Sequence, residues 1–473
     1  MIRPSSTRSF ASFWAGLAIL AALLWVWIGW CRLPASSWND MRLTPVFMAM
    51  QGVPVYTLPG SGVLTTWMYG PAPLWLWSPS VFAHDAVSAL LVGGTVNTTL
   101  TLAAIALTCL LWPCAGATRP IRLLALALAC ALWPEAAWRF FQADNVVVAC
   151  GLLANLALVH AATEARGRLW LAAFTTALAL ASKQNAIGLL AGQLLWLWHA
   201  RGGRAAVDHA ARTLAIGAVL AAFAVAQFGL RELWFGMITV PSRLPWADDL
   251  GVRALAVLPF VLRQWAVPGA LLWLLLRRRR ELSPALGLTI ACWGATLPLG
   301  IAGTFTTGGT VNHLHGFQFL LPSAVVVLLT WVHTHLTRTL VLGSLLTCTL
   351  VVGQIYRAAA VPLLPATARE ELAIHLARRN PGAVWMPWAP LVTYFDEGRF
   401  DHVEDGVYVR FITGYPVSLA QMREHLPPRF SSMVLPAGDA DWALAIKLAP
   451  PSSKMWEIGS WRIVQWTPEP VRR

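Results

Sequence analysis

Charged side chains are scarce in this sequence: only 12% of its 473 residues are Asp, Glu, Lys or Arg, while 57% are hydrophobic. Soluble domains carry about a quarter charged residues, so the composition excludes an ordinary soluble enzyme and is typical of an integral membrane protein. The net charge is +13, but the basic residues form short clusters between apolar runs and no single patch. We therefore expect no nucleic-acid partner, and expect membrane lipids with anionic head groups beside these clusters.

Paired cysteines are also lacking. The seven cysteines lie in or beside apolar runs without a Cys-x-x-Cys motif, and none follows residue 348. We interpret them as small buried hydrophobic residues and expect neither a disulfide framework nor a cysteine metal site.

Apolar runs near the length that crosses a bilayer recur along the chain. They cover about 11–31, 86–112, 121–135, 144–163, 169–182, 185–199, 213–230, 253–275, 285–303, 316–334 and 339–357. The sequence therefore predicts a mainly α protein with a polytopic bundle of about eleven transmembrane helices. No A-x-A cleavage site follows the first run, which indicates an uncleaved first helix.

Basic residues are divided unevenly between alternate loops. One set of loops carries Arg3, Arg8, Arg119, Arg122, Arg166, Arg168, Arg201, Arg204, Arg212, Arg277 to Arg280 and Arg338. The other set carries only Arg32, Arg42, Arg139, Lys183, Arg231 and Arg243 across longer loops. The positive-inside rule then predicts a cytoplasmic N-terminus, and an odd number of spans places the C-terminus outside.

The composition changes after residue 357. We predict a membrane domain over 1–357, with a first outer loop at 32–85, and a small outer α/β domain over 358–473. The segment "PATAREELAIHLARRN" predicts a helix. Strands are predicted in "AVWMPW", "GVYVRFI", "SSMVLP" and "WALAIKL", and a hairpin in "MWEIGSWRIVQW" turning at Gly459 and Ser460.

An acidic residue lies just past the first apolar run, in "WNDMR". Asp40, flanked by Asn39 and Arg42, begins an apolar segment that we predict to be an interfacial helix ended by Gly52. Charged side chains near hydrocarbon usually form ion pairs or take part in function. Asp40 is therefore either a general base at the membrane surface or the N-cap of this helix.

A second acid lies on the same predicted face. Asp144 follows Arg139 and Gln142 in "WRFFQADN", at the start of the fourth run. Its carboxylate is expected to approach Asp40, or to cap its own helix.

Lys183 and Gln184, in "ASKQN", interrupt two apolar runs. Lys183 either snorkels to the head groups or, with Arg139, binds phosphate.

The segment "TTGGTVNHLHG" adds Asn312, His313 and His315. We expect them to line a pocket for a polar substrate. His-x-His is also compatible with a divalent cation, but the sequence offers no third ligand, so no metal site is predicted.

The order of these segments resembles one family. An Asp after the first span, then "MAMQGVPVY", "YGPAPLWLW", "RFFQADNVVVACGLLA", "LALASKQNAIGLLAG" and "GGTVNHLHGFQFLLP", is similar to the GT-C superfamily. These are integral-membrane glycosyltransferases that use polyprenyl-phosphate sugars, and they include protein O-mannosyltransferases and aminoarabinose transferases. The sequence departs from the usual Asp-Glu by having Asn39 before Asp40, and it lacks the Lys-Pro pair of some relatives.

The resemblance implies inverting transfer of a sugar from a polyprenyl-phosphate donor to a hydroxyl of a lipid, glycan or protein, at the outer face of a bacterial cytoplasmic membrane. It implies Asp40 as the catalytic base, Asp144 as a second acid, and Tyr69 to Pro71 as pocket wall. Lys183 and Arg139, with Arg42 as the alternative, would contact phosphate.

Two other classes remain compatible with the sequence. A lipid or glycan transporter would line a pathway with the same polar residues, but such proteins often carry an internal repeat, and none is evident. An O-antigen polymerase or ligase would share the topology, and "VNHLHG" is compatible with it.

Overall fold

The chain forms a helical bundle with a small sheet near its C-terminus. The computed structural model describes residues 4–65, 67–161, 166–278, 282–309, 311–332, 335–359, 368–437 and 448–467. In chain order the α-helices are α1 (Pro4–Cys31), α2 (Ser37–Met50), α3 (Ala72–Trp77), α4 (Ala86–Leu111), α5 (Arg119–Leu132), α6 (Glu135–Arg139), α7 (Ala143–His160), α8 (Arg166–Leu180), α9 (Ile187–Arg201), α10 (Gly203–Phe228), α11 (Leu230–Trp234), α12 (Leu250–Arg278), α13 (Pro284–Thr304), α14 (Gly316–Val332), α15 (Leu336–Ala359), α16 (Ala368–Arg379), α17 (Pro390–Glu397), α18 (Glu404–Ile412) and α19 (Leu419–Glu424).

Each of the eleven apolar runs contains an α-helix, so the prediction of a mainly α-helical membrane protein is confirmed. Within the described residues, six helices are long and apolar enough to cross a bilayer, namely α1, α4, α7, α10, α13 and α15. A seventh candidate, α12, is bent by 50° between Leu250–Leu262 and Trp265–Arg277. Pro268 explains this bend, because proline clashes with the carbonyl four residues before it. The number of eleven spans stays a prediction.

Helix α7 lies at the centre of the bundle. Of its apolar window, 83% is buried inside the protein, against 11% for α10. Small residues allow neighbours to pack closely around it, as in "VVVACGLLANLAL". The first turn of α7, which contains Asp144, is consequently buried.

Between α1 and α4 the first loop, residues 32–85, folds over one end of the bundle. The predicted helix in this loop is confirmed as α2, which begins at Ser37 and is followed by Gly52 at φ 71°. Ser36 occupies the N-cap position, and Asp40 lies within the first turn. The N-cap interpretation of Asp40 is therefore wrong.

Four strands form one sheet in the C-terminal region, by which we mean residues 368–437 and 448–467. The strands are β1 (Val384–Trp385), β2 (Ser432–Pro436), β3 (Lys454–Ile458) and β4 (Trp461–Gln465). Their order is β1-β2-β4-β3, with only the β1–β2 pair parallel. The predicted hairpin is confirmed: Ile458 pairs with Trp461, and Gly459 has φ 59° in the turn.

The segment "GVYVRFI" is helical, so the strand predicted there is wrong. It belongs to α18, in which Val407 and Arg410 are buried while Tyr408 and Phe411 are exposed. That spacing of three residues is helical, and acids in the first turn, such as Asp405, favour a helix start. The strand predicted in "WALAIKL" falls on residues 442–447, which lie outside the described residues, and on Leu448.

The C-terminal region packs on the first loop. Leu391, at the start of α17, donates its backbone N–H to Asp40 at 2.8 Å, and Arg369 of α16 donates to the Ala35 carbonyl at 3.3 Å. Phe47 of α2 packs against Tyr394 and Phe395 of α17, with ring centroids 5.2 and 5.4 Å apart. These contacts fix the region over the same end of the bundle as Asp144.

Candidate active site

Asp144 is the centre of a buried polar cluster. Lys183, three residues after the end of α8, donates to the two carboxylate oxygens of Asp144 at 2.9 and 2.8 Å. His315 Nδ1 lies 2.7 Å from one of these oxygens, and Asn312 Nδ2 donates to the other at 3.0 Å. Three segments far apart in sequence thus meet at one carboxylate. Lys183 is buried in this pair, so the snorkelling interpretation is wrong.

The "YGP" segment is held against the chain that follows α8. Gly70 donates its N–H to the Ser182 carbonyl at 3.0 Å, and a Cβ on Gly70 would lie 2.0 Å from the Ala181 carbonyl oxygen, so only glycine fits. This approach places the Tyr69 ring centroid 5.3 Å from Lys183 Nζ. Tyr69 therefore covers the ammonium group of the cluster.

Pro71 and Gln184 hold the "YGP" segment in place. Pro71 is buried directly before α3. Gln184 donates to the Met68 carbonyl at 2.8 Å and to the Met237 carbonyl at 2.5 Å. Both residues therefore shape the wall on which Tyr69 lies.

Arg42 also contacts the Tyr69 ring. Its guanidinium carbon is 4.9 Å from the Tyr69 centroid and 5.7 Å from that of Trp38. The side chain is half-buried, and it makes no hydrogen bond or ion pair to any residue that the structure describes; its Nε is fully buried. A guanidinium left without a carboxylate is suited to binding an anion.

His313 lies near both cations. Burial, with the positive charge of Lys183, lowers the pKa of His313 to about 3, so its imidazole is neutral at physiological pH. Across the described ranges, no group of three or more His, Cys, Asp or Glu side chains could hold a metal ion.

Asp40 faces away from this cluster. Residues two positions apart on a helix point about 200° apart, so Asp40 and Arg42 lie on opposite faces of α2. Asp40 accepts the Leu391 N–H at 2.8 Å, and its carboxyl lies beside that of Glu370 of α16. Burial and the negative charge of Glu370 raise the pKa of Asp40 well above its ordinary value, and burial raises the pKa of Glu370 to about 7. The two carboxyls therefore share a proton.

Asn39 and Arg139 connect the first loop to the segment before α7. Asn39 donates to the carbonyls of Leu33 and Arg139 at 2.8 and 2.7 Å and accepts the Phe141 N–H at 2.8 Å. The Arg139 side chain pairs with Glu135 at 3.1 Å. Arg139 therefore does not join Lys183, although the sequence suggested both for one phosphate.

A cavity of about 220 Å³ opens beside the Asp144 cluster. Its polar lining consists of Glu135, Gln142, Asp144, Asn145, Asn312, His315 and Gln318. Phe260 of α12 adds an aromatic wall. Carboxylate and amide groups with one aromatic face can hydrogen-bond and stack against a sugar ring, so the lining suits a small polar ligand.

Three acidic residues near these groups were not predicted from the sequence as site residues: Glu135, Glu370 and Asp405. Glu135 lies in the cavity wall and pairs with Arg139 and, at 3.8 Å, with Arg32. Its position just before "WRFFQADN", the segment that contains Asp144, would have allowed it to be predicted as a site residue. Glu370 and Asp405 belong to segments distant in sequence, and only the packing of the C-terminal region on the first loop brings them near α2.

The apolar helices and the buried polar cluster together describe a multi-pass membrane protein. The chain is similar to the solved structure of ArnT from Cupriavidus metallidurans in the apo state. The TM-score is 0.60 at 15% sequence identity, over 96% of this chain and 98% of that chain. ArnT bound to undecaprenyl phosphate is similar at a TM-score of 0.59 and 13% identity, over the same shares of both chains. The fold of this chain is thus similar to that of ArnT over nearly its whole length.

A third structure, the arabinosyltransferase EmbB from Mycobacterium smegmatis, matches at a TM-score of 0.44 and 12% identity, over 87% of this chain and 40% of that chain. No protein-family model matches the sequence, and no curated protein matches it.

Proposed function

We propose that this protein is a glycosyltransferase that moves a sugar from a polyprenyl-phosphate donor to a hydroxyl acceptor, with inversion, at the outer face of the bacterial cytoplasmic membrane. The acceptor is a lipid, a glycan or a protein. The N-terminus is cytoplasmic, and the region from residue 358 lies outside. The fold shared with ArnT, of which one structure holds undecaprenyl phosphate, supports this donor class.

The main support for the proposal is the guanidinium of Arg42, which makes no ion pair among the described residues. It contacts the same Tyr69 ring as Lys183, the partner of Asp144 in the wall of the polar cavity. A lipid-linked donor keeps its tail in the bilayer, so its phosphate lies at the head-group level, where Arg42, Tyr69 and Lys183 meet. Cations placed in advance stabilise the negative charge that develops on the departing phosphate. The sugar then occupies the cavity lined by Gln142, Asn312 and His315.

In the proposed reaction, Asp144 orients the residues that surround the donor. Its carboxylate is fully engaged by Lys183, His315 and Asn312, and a carboxylate so strongly paired is a poor proton acceptor. Its role is to hold the ammonium and imidazole groups in place around the donor.

Inverting transfer requires a carboxylate that takes the acceptor proton. Asp40 is the residue that the family resemblance predicts for this role. Its carboxylate is held by Leu391 and Glu370, so direct catalysis by Asp40 requires α17 to move away from α2. General-base catalysis contributes about 10²- to 10⁴-fold, and Asp40→Asn would lower the transfer rate by that factor if Asp40 is the base.

The donor proposal is tested with purified protein and a panel of polyprenyl-phosphate sugars in the presence of an acceptor mixture. We expect release of polyprenyl phosphate from one donor, and a raised KM for that donor in Arg42→Gln. Arg378→Gln is the matched control, since Arg378 is 69% exposed and lies in the C-terminal region. Failure of every donor to react with the wild-type protein would refute the transferase function.

A further inference from the structure

Arg253, near the start of α12, binds the turn that follows α13. Its Nη1 donates to the carbonyls of Thr304 and Gly309, each at 3.2 Å, and it also donates to the carbonyl of Thr306. Thr304 is the last residue of α13, and the final carbonyls of a helix have no partner within that helix. A basic side chain satisfies such a carbonyl and interacts favourably with the negative end of the helix dipole. One guanidinium therefore closes the whole turn.

Backbone hydrogen bonds fix the same turn to the chain before α12. Ala247 donates its N–H to the Phe305 carbonyl at 2.9 Å. Thr307 donates its N–H to the Pro245 carbonyl at 2.8 Å, and the two segments form a short antiparallel bridge. The turn and the residues that lead into α12 are consequently held together as one unit.

Beyond the turn, the chain lies directly on α13 and reaches the Asp144 cluster. A Cβ on Gly300 would lie 2.6 Å from the His313 carbonyl oxygen, so this close approach requires glycine. Asn312 donates to the Asp144 carboxylate at 3.0 Å, and His315 Nδ1 lies 2.7 Å from it. The position of the turn therefore determines where two partners of Asp144 lie.

Helix α12 also contributes to the cavity beside Asp144. Phe260, which forms the aromatic wall of this cavity, follows Arg253 by seven residues. Seven residues are almost two helical turns, so the two side chains lie on one face of α12, about 10 Å apart along its axis. Both belong to the segment before the bend, Leu250–Leu262. Arg253 thus connects the helix of the aromatic wall to the turn that precedes the polar wall.

We propose that Arg253 is a positioning residue for sugar transfer: it holds Asn312 and His315 at the separation from Phe260 that the donor sugar requires. This inference rests on the proposed function and adds a residue to it. Arg253 is not among the described residues that line the cavity, so it acts through those that do. A misplacement of about 1 Å can cost about 10²-fold in rate, so loss of the contacts that close the turn weakens the hold on the donor.

A purely structural role of Arg253 as the cap of α13 predicts different kinetics. Loss of a cap lowers the stability of the protein. The maximal rate then falls with the fraction of folded protein, while the KM of the folded protein stays unchanged. A raised donor KM is therefore the signature of positioning.

The test measures donor KM and kcat for the wild-type protein, Arg253→Gln and Arg253→Lys in the polyprenyl-phosphate release assay. Arg253→Gln should raise the donor KM about ten- to hundredfold. Lysine keeps the charge and three N–H donors but lacks the planar fork, so Arg253→Lys should show a smaller rise. Arg231→Gln is the matched control and should keep the wild-type KM, since Arg231 of α11 is exposed.

A double-mutant cycle identifies the residue through which Arg253 acts. If Arg253 positions Asn312, Arg253→Gln should lower kcat/KM less in an Asn312→Ala background than in the wild-type protein. Equal losses in both backgrounds would overturn the inference. A wild-type donor KM in both Arg253 variants, or in Arg253→Lys where unfolding midpoints show that Arg253→Gln does not fold, would also overturn it. Failure of the wild-type protein to release polyprenyl phosphate from any donor would instead refute the transferase function itself.

Discussion

Two buried carboxylates at the same end of the molecule have opposite surroundings. Asp144, in the membrane part, is enclosed by Lys183, His315 and Asn312 within 3.0 Å. Asp40, at the junction with the C-terminal region, faces a second carboxyl, that of Glu370, and one backbone N–H. Burial penalises an ionised acid in both places, so the partner decides whether the acid is charged.

The partners of each carboxyl determine which role it can have. A carboxylate matched by an ammonium group stays ionised and holds its partners rigidly, which suits a scaffold for a phosphate site. Two carboxyls in contact keep a proton between them at neutral pH, which makes the Asp40–Glu370 contact sensitive to pH. The comparison therefore assigns an orienting role to Asp144 and a docking role to Asp40 in the conformation described.

The largest effect is expected from removing the cation of the Asp144 cluster. Lys183→Met leaves a buried, ionised carboxylate without its partner, which costs about 3–5 kcal/mol in stability. Thermal or denaturant unfolding in detergent measures this loss. Adding Asp144→Asn to Lys183→Met should recover part of the stability, because the uncompensated charge is gone.

Lys454→Met is the matched control for this substitution, since Lys454 is exposed on β3. The interpretation of Asp144 as a strictly charge-paired group fails if Lys183→Met destabilises the protein no more than Lys454→Met does.

A smaller, pH-dependent effect is expected at Glu370. The pKa of Glu370 is raised from 4.5 to about 7 in the folded protein, so the folded state binds more protons than the unfolded chain between these values. Stability should therefore decrease as pH rises from about 4.5 to 7. Glu370→Gln should flatten this dependence, as measured by unfolding midpoints across that range.

Glu371→Gln serves as its control, because the neighbouring Glu371 is exposed. An identical pH dependence in Glu370→Gln and the wild-type protein would show that the two carboxyls do not share a proton.

The smallest effect is expected at a surface ion pair. Arg378 and Asp396 lie 3.2 Å apart, with Arg378 69% exposed, so water and salt screen their attraction. Arg378→Ala should change the free energy of unfolding by no more than about 1 kcal/mol. A loss as large as that in Lys183→Met would mean that burial does not separate the two kinds of ion pair.

Local sequence patterns predicted much of the architecture. Apolar runs located the bundle helices, because satisfying backbone hydrogen bonds in hydrocarbon requires a helix wherever a run is long enough. The turn chemistry of Gly459 located the hairpin. The strand predicted in "GVYVRFI" was wrong because apolar residues over only seven positions fit the two-residue period of a strand as well as the 3.6-residue period of a helix. The segment forms α18, and the residues that it buries follow the helical period.

The sequence by itself determined which residues are unusual: Asp40, Arg42, Asp144 and Lys183 were identified because charges near apolar runs are costly. Only the tertiary structure decided which of them meet. It joined Lys183 to Asp144 and turned Asp40 toward Glu370. Helical periodicity predicts that Asp40 and Arg42 face apart, but what covers each face depends on contacts between segments hundreds of residues distant, which no local pattern encodes.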